Sequence, residues 1–487
     1  MKSTSIPRRE LFQQVGTGMH VAALTWLFGQ DIYGADTAAD SIKQSPAKPF
    51  HDTRPRRPQH EPHANAVIHL FMNGGPSQMD LFDPKPMLDK HHGKEHFEKI
   101  AGEVEFPEAA GALMRSPFKF KQYGESGMHV SDVMPHLATQ VDNIAMIRSM
   151  HTTNLTHEPA LYKVHSGSEF TGRPSIGSWV AYGLGTENQN LPAYVVMDDP
   201  LGLPVNGIDN WHSGYLPPVF QGTRFRATGS PVLNLKPDYE QPDSVTQLER
   251  DLIARLDRIH KRNRPNQPQL GARISSYELA ARMQIAASDA LDLSQETKST
   301  LRMYGIDEKV TESYGRRCLI ARRLVERGVR FVQLFINSQI WDNHSAIATS
   351  LKAACDRTDK PTAALIADLK QRGLLDKTLV AWGGEIGRLP IAQLTADKDP
   401  GKSGRDHNKN AICTWMAGGG TKPGTTLGAT DEFGFAAVED RVSVTDWHAT
   451  VLHLLGLHHE ELFIERNGLK ERLTGVEKPR IVHEILA

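Results

Sequence analysis

The chain has 487 residues, 39% of them hydrophobic and 23% charged, with a net charge of −1. This is ordinary globular composition, neither disordered nor fibrous. No block of lysine or arginine marks a nucleic-acid surface, and three widely spaced cysteines, Cys318, Cys355 and Cys413, fit neither a zinc knuckle nor a disulfide scaffold.

Near the N-terminus Arg8 and Arg9 precede a weakly apolar stretch over residues 15–28. The pattern is similar to a twin-arginine signal, which exports folded proteins, with an ordinary basic helix as the competing reading. The stretch is too short and too rich in Gly and Thr for a stable membrane span. Residues 1–35 are therefore expected to be a signal segment, cleaved or retained as an anchor, which places the protein in the periplasm or otherwise outside the cytoplasm. Residues 36–64 are rich in Pro, Lys, Arg and His without periodicity and read as a linker.

A first strand is predicted over 66–72, ending in Asn73-Gly74-Gly75-Pro76-Ser77, whose glycines permit a tight turn and close approach of backbone to a ligand. A second strand is expected over 141–147 and closes with Arg148-Ser149-Met150-His151. A helix begins over 174–182 with Pro174 near its first turn, and a third strand follows over 193–197. Between about 200 and 300 the pattern changes to Gly, Pro and Asn, then to long charged helices over 244–262 and 274–291, expected to form an outer layer or cap. A helix over 313–327 feeds a buried strand at 331–336. The next helix carries Leu351, Ala354, Cys355, Leu365, Ile366 and Leu369 on one side, a kink or split is expected at Pro361, and Gly373 stops it. A strand over 378–382 completes a βαβ crossover. A last strand covers 411–416, where Cys413 reads as a buried small hydrophobe. The alternation predicts an α/β protein with a mostly parallel central sheet flanked by helices.

Three groups of polar side chains lie beside strands of this C-terminal third. They are Trp341-Asp342-Asn343-His344, Gly383-Gly384-Glu385-Ile386-Gly387-Arg388 and Gly404-Arg405-Asp406-His407. Ligands of parallel α/β sheets bind outside the carboxyl ends of strands, so these groups point to one polar, metal-binding site. A carboxylate two residues from an imidazole, as in Asp342 and His344, suits zinc or another divalent transition metal, although a solvated loop pair explains it equally well. Asp406 beside His407 acts as ligand or as a partner that orients the ring. Arg388 pairs with Glu385 or holds an anionic substrate. Thr445 or Asp446 reads as a helix cap, and His453, His458 and His459 as solvent or packing residues. Ser77 has no neighbouring base and is a weak nucleophile. Thr152, Thr153, Asn154, Thr156 and His157 form a second polar group that offers a hydroxyl or imidazole to the metal.

The order of the phrases Leu70-Phe71-Met72-Asn73-Gly74-Gly75-Pro76-Ser77-Gln78-Met79-Asp80, Phe82-Asp83-Pro84-Lys85-Pro86, Trp341-Asp342-Asn343-His344, Gly384-Glu385-Ile386-Gly387-Arg388, Gly404-Arg405-Asp406-His407, Gly418-Gly419-Gly420 and Asp446-Trp447-His448-Ala449-Thr450 resembles the family called domain of unknown function 1501. This is an exported, sulfatase-like group within the alkaline phosphatase superfamily, and the match covers about residues 65 to 480. The resemblance implies an alkaline-phosphatase-like sheet with a helical insertion at about 200–300. It implies one or two divalent ions, zinc or calcium, at Asp342, His344, Glu385 and His407, with Asn73 or Asp80 helping. Asn73 stands where the superfamily carries a carboxylate, and Ile386 where it carries a histidine. Thr171-Gly172-Arg173 is similar to the end of the superfamily nucleophile segment, and upstream of it Thr156, His157 or a metal-bound water is the expected nucleophile. No cysteine is placed to become a formylglycine.

These residues predict an exported metal-dependent hydrolase of an anionic ester, sulfate or phosphate, on a small molecule or polysaccharide, with Arg388, Arg148 or Arg173 holding spare oxygens. The alternative is a catalytically degenerate envelope protein that binds an anionic polysaccharide. A sugar-phosphate mutase fits an exported protein less well.

Overall fold

The computed structural model describes residues 52–95, 101–226, 242–264, 267–336, 339–396 and 399–487. The predicted signal segment and the first part of the predicted linker lie outside them. A run such as Ala-Val-Ile-His-Leu-Phe, apolar on both sides of the pleat, settles as a strand where both sheet faces are covered. Such runs build one nine-stranded sheet from β1 (Ala66–Phe71), β2 (Ile144–His151), β3 (Tyr194–Met197), β4 (Thr223–Arg224), β5 (Phe331–Phe335), β6 (Thr378–Gly383), β7 (Ile412–Ala417), β8 (Thr425–Leu427) and β9 (Val442–Ser443). Their order is β8-β2-β7-β6-β1-β5-β3-β4, with β9 also paired to β2. Every pairing is parallel except those of β7, which runs antiparallel to β2 and β6.

The longer helices are α1 (His157–Ser166), α2 (Ile176–Leu184), α3 (Asp243–Arg262), α4 (Pro268–Leu291), α5 (Glu312–Glu326), α6 (Ile347–Gln371) and α7 (Val444–Leu454). Ile68, Leu70, Val332, Leu334, Val380 and Trp382 point to one face, where Met283 of α4, Cys318 of α5 and Leu351 of α6 cover them. Val67, Phe71, Phe331, Phe335, Leu379 and Ala381 point to the other, against Leu161 of α1, Trp179 of α2 and Val451 of α7. Each such side chain contributes roughly 1.5–3 kcal/mol when fully buried. Trp382 and Trp415, on neighbouring strands, stack at 5.9 Å and 4°, and Trp341 meets Trp382 edge-on at 6.1 Å. No described helix is long and apolar enough to cross a membrane.

Several local expectations shift. The strand expected over 141–147 starts at Ile144 and runs to His151, because β9 pairs with Met150 and His151 and extends it. Leu137–Asn143 turns as a 3-10 helix instead. Pro174 lies outside α2, which Ser175 caps by accepting the Ser178 N–H. Pro361 sits inside α6 without dividing it; Leu351, Cys355, Leu365 and Leu369 are buried on either side and hold the helix to the sheet. The cap of α7 is Ser443, with Asp446 closing a reciprocal capping box and Thr445 bonding Glu477. The second insertion helix, α4, is no outer layer: Met283, Ala287 and Ala290 are in the core, and Arg323 of α5 donates to Ala290 O at 2.8 Å.

Candidate metal centre

Topology gathers the site. The parallel strands β1, β5 and β6 end at one sheet edge, where the loops carrying Asn73, Asp342 and Glu385 begin. β7 runs the other way, so His407, which lies ahead of it, reaches that same edge. His157 opens α1 and joins them.

Four residues converge there. One ligand atom from each of His157, Asp342, His344 and His407 lies within 4.8 Å of the others. The arrangement is directional. The Nε2 atoms of His344, His407 and His157 approach Asp342 Oδ1 at 2.8, 3.2 and 3.4 Å. The opposite ring nitrogen of each histidine is held by an acceptor. His157 Nδ1 donates to Glu385 Oε1 at 2.7 Å, His407 Nδ1 to Glu105 Oε2 and His344 Nδ1 to Gln393 Oε1. A carboxylate or amide oxygen accepts and does not donate, so each Nδ1 carries a proton and each Nε2 is the atom left to bind a metal. His157 Nε2 is buried without a hydrogen-bond partner; at 3.4 Å its approach to Asp342 is a charge contact. Three ring nitrogens and one carboxylate on one point are a donor set that fits a divalent ion.

Electrostatics agree. Burial alone pulls the His157 imidazole down, but Asp342 and Glu385 outweigh it and lift its pKa to about 9. Burial also penalises the Asp342 carboxylate, yet the three imidazoles and the Arg388 guanidinium hold it far below the ordinary carboxylate range. Without a metal the raised pKa keeps His157 protonated on both nitrogens, its Nδ1–H on Glu385 and its Nε2 facing Asp342; an ion held there would displace the Nε2 proton alone.

The supporting shell is built from backbone. Asp406 Oδ1 accepts the His407 N–H at 2.8 Å, and its Oδ2 accepts Glu105 N–H at 3.1 Å and Phe106 N–H at 2.9 Å. Asp406 thus fixes the segment that delivers Glu105. The Gly74 N–H donates to Glu385 Oε1 at 2.9 Å. A Cβ on Gly74 would fall 2.5 Å from Asp342 N, and one on Gly75 2.5 Å from the Ile386 side chain. The glycines of this turn therefore permit close approach of the neighbouring loops, where the sequence suggested a ligand.

The remaining site expectations fall as follows. Glu385 is fully buried behind His157, as its acceptor, and is not among the four converging residues. Asn73 donates from Nδ2 to Ile336 O at 2.6 Å. Asp80 is buried against Arg405, which donates at 2.6 and 3.2 Å, and it also accepts from Ser77. Arg388 is fully buried; it bonds the carbonyls of Gly74, Gly75, Trp341 and Arg405 and contacts Asp342 at 2.5 Å. Thr156 precedes α1 as an exposed residue. Arg148 lies within β2. Arg173 pairs with Glu471 at 2.8 Å and lines a separate cleft of about 490 Å³ that contains none of the four residues. All three cysteines are buried thiols. Glu105 and Gln393 escaped the sequence reading, since neither stands beside a histidine or at the end of a predicted strand.

Fold and site together define a mixed α/β protein with a three-histidine, one-aspartate candidate metal centre at the strand ends. The chain belongs to the DUF1501 family, described as a protein of unknown function, whose sequence model matches residues 64–486. No curated protein matches it. Among solved structures it is similar to the lipoteichoic acid synthase LtaP from Listeria monocytogenes, at 10% identity and a TM-score of 0.38 over 94% of this chain and 81% of that one. It is also similar to the PsFucS1 sulfatase from Pseudoalteromonas sp., at 14% identity and a TM-score of 0.31 over 83% and 69%. A third is the alkaline phosphatase from the Antarctic bacterium TAB5, at 12% identity and a TM-score of 0.28 over 74% and 94%. Scores and identities this low carry no chemistry across.

Proposed function

We propose that the protein is a metal-dependent hydrolase of an anionic ester, phosphate or sulfate, exported by the twin-arginine route. The observation that carries this reading is the convergence of three Nε2 atoms on Asp342 Oδ1 with every Nδ1 held from behind. Imidazole donors favour zinc over calcium, which takes oxygen ligands. His157, Asp342, His344 and His407 would hold the ion, which would supply Lewis-acid chemistry for ester hydrolysis.

The chain's own residues set the rest. Glu385 and Glu105 fix two rings, Gln393 the third, and Arg388 steadies Asp342. His344 has the most exposed side chain of the four, at 28%. Substrate approaches on that side, past the exposed ring of Phe106, which lies 5.5 Å from His344. Water is favoured as nucleophile because each histidine of the group has its Nδ1 on an acceptor and its Nε2 aimed at the common point, which leaves no ring nitrogen to attack. A non-hydrolytic envelope protein that binds an anionic polysaccharide draws support from the arginines: Arg388 is engaged with carbonyls and Arg173 with Glu471, which leaves neither to hold ester oxygens.

The test combines elemental analysis with a panel of phosphate and sulfate esters. Wild type should retain zinc and turn over at least one ester class, and Asp342→Ala and His407→Ala should lose both metal and activity. Bound metal with no turnover across the panel supports the binding reading; no metal in wild type removes the hydrolase. For export, Arg8→Lys with Arg9→Lys should leave the protein in the cytoplasm.

A further inference from the structure

Among the longer helices, α3 alone places no described side chain in a hydrophobic core. Yet it is rich in large aliphatic residues. Val245, Leu248, Ile253 and Leu256 are exposed, Leu248 by 68%, and Leu252 and Ile259 are half-buried. By contrast, Leu319 and Leu324 of α5 and Leu351 and Leu365 of α6 are fully buried. Tyr277 of α4, the helix on which α3 packs, is exposed too. A contiguous apolar surface of this kind on a soluble fold marks an interaction site.

The spacing of these residues is symmetric. Val245, Leu248, Leu252, Leu256 and Ile259 follow one another at intervals of 3, 4, 4 and 3. At 3.6 residues per turn they fall within about 80° of the helix surface. Leu252 is at the middle, both along the helix and around it. Reversing the chain direction about Leu252 maps the stripe onto itself, Val245 onto Ile259 and Leu248 onto Leu256. A two-fold axis at this point therefore lays the stripe on that of an antiparallel copy, aliphatic on aliphatic along the whole seam. Charge follows the same symmetry. Residues 243–251 carry three acids and one base, and residues 255–264 carry five lysines or arginines and one acid. Antiparallel pairing sets the acidic half on the basic half, whereas parallel pairing would set like on like.

We propose that α3 is a dimer interface, pairing antiparallel with α3 of a second copy of this chain about a two-fold axis at Leu252. The helix supplies none of the four residues that converge at the metal centre, so association and metal binding are separable.

Sedimentation equilibrium of the full-length protein at high micromolar concentration tests this. Wild type should be dimeric, and the Leu248→Glu, Leu256→Glu variant monomeric with its zinc content unchanged. A monomeric wild type overturns the proposal, and one that also co-sediments with phosphatidylglycerol vesicles gives the stripe to a lipid surface instead. A double variant as dimeric as wild type overturns it as well. Cross-linking reads the direction of pairing. Cys318, Cys355 and Cys413 are buried, so an introduced surface thiol is the reactive one. A short bismaleimide should join Leu252→Cys to its own copy and leave Val245→Cys unlinked, because antiparallel pairing separates the two 245 positions by about 14 residues, or about 21 Å, along the seam. No link in Leu252→Cys, or one formed as readily in Val245→Cys, overturns the proposal. If the double variant misfolds, the cross-linking decides.

Discussion

The turn after β1 and the loops after β5 and β6 are both crowded with buried polar residues at one sheet edge, yet they behave in opposite ways. After β1, the polar groups of Ser77, Gln78, Asp80 and Asp83 are each tied to another. Asp80 takes the Arg405 guanidinium and the Ser77 hydroxyl, Gln78 brackets the Arg388 backbone, and Asp83 takes Thr430 and Lys85. After β5 and β6, the acceptors sit behind the rings and leave the Nε2 atoms aimed at a common point. A polar side chain at a strand end is therefore weak evidence of chemistry until its partners are known. A closed network stabilises the fold, and one with an orphaned donor atom at its focus is built for something else.

The contrast breaks most visibly at Arg405. Arg405→Ala leaves the Asp80 carboxylate buried without its counter-charge and with only the Ser77 hydroxyl, in a place where both side chains of the pair are fully inaccessible. It should destabilise the protein by about 3–5 kcal/mol, read from the midpoint of denaturant unfolding. Glu105→Gln should act on the other region. A tenfold to hundredfold weaker zinc affinity is expected, roughly 1.4–2.7 kcal/mol, with little change in metal-free stability because Glu105 is partly exposed. Equal zinc affinity in this variant would mean that His407 needs no carboxylate behind it. Gly74→Ala joins the two regions, since its φ of +107° and its contact with Asp342 N both resist a Cβ. A loss of about 1–3 kcal/mol is expected, together with weaker zinc binding.

A smaller, graded effect comes from histidines outside both regions. His69 and His448 are buried between β1 and the helices of its second face, and burial pushes their pKa values down to about 3 and about 4. Unfolded, they take up protons near pH 6.5. The stability they contribute is present above that pH and lost as pH falls toward the folded values, at about 1.4 kcal/mol per group per pH unit. Unfolding of metal-free Asp342→Ala between about pH 7 and about pH 5 should show that slope, and a flat profile would mean that these rings are already solvated in the folded state.

Much of this was legible in the sequence. The cores of β1, β5, β6 and β7 stand out as near-continuous apolar runs, interrupted only by His69, Gln333 and Thr414, and a run buried on both faces carries its own signal. Asp342, His344 and His407 were legible because strand ends are where parallel sheets present side chains. His157 drew attention as a nucleophile candidate, while its contact with Asp342 depends on how α1 packs, which no local pattern encodes. Glu105 was invisible for the same reason: it reaches His407 across 302 positions, held by Asp406. Arg388 shows the converse limit. A cation beside glycines reads as a substrate holder, and only its burial among carbonyls reveals a strut.

Trp341 immediately precedes Asp342 and stands edge-on to the stacked pair Trp382 and Trp415. Three indoles in fixed mutual orientation couple their electronic transitions, and the first is one peptide bond from a residue of the cluster. Loading an ion should therefore register in near-ultraviolet circular dichroism and in emission without any added dye. The protein carries its own optical gauge of occupancy, and titrations can be followed on the unmodified chain.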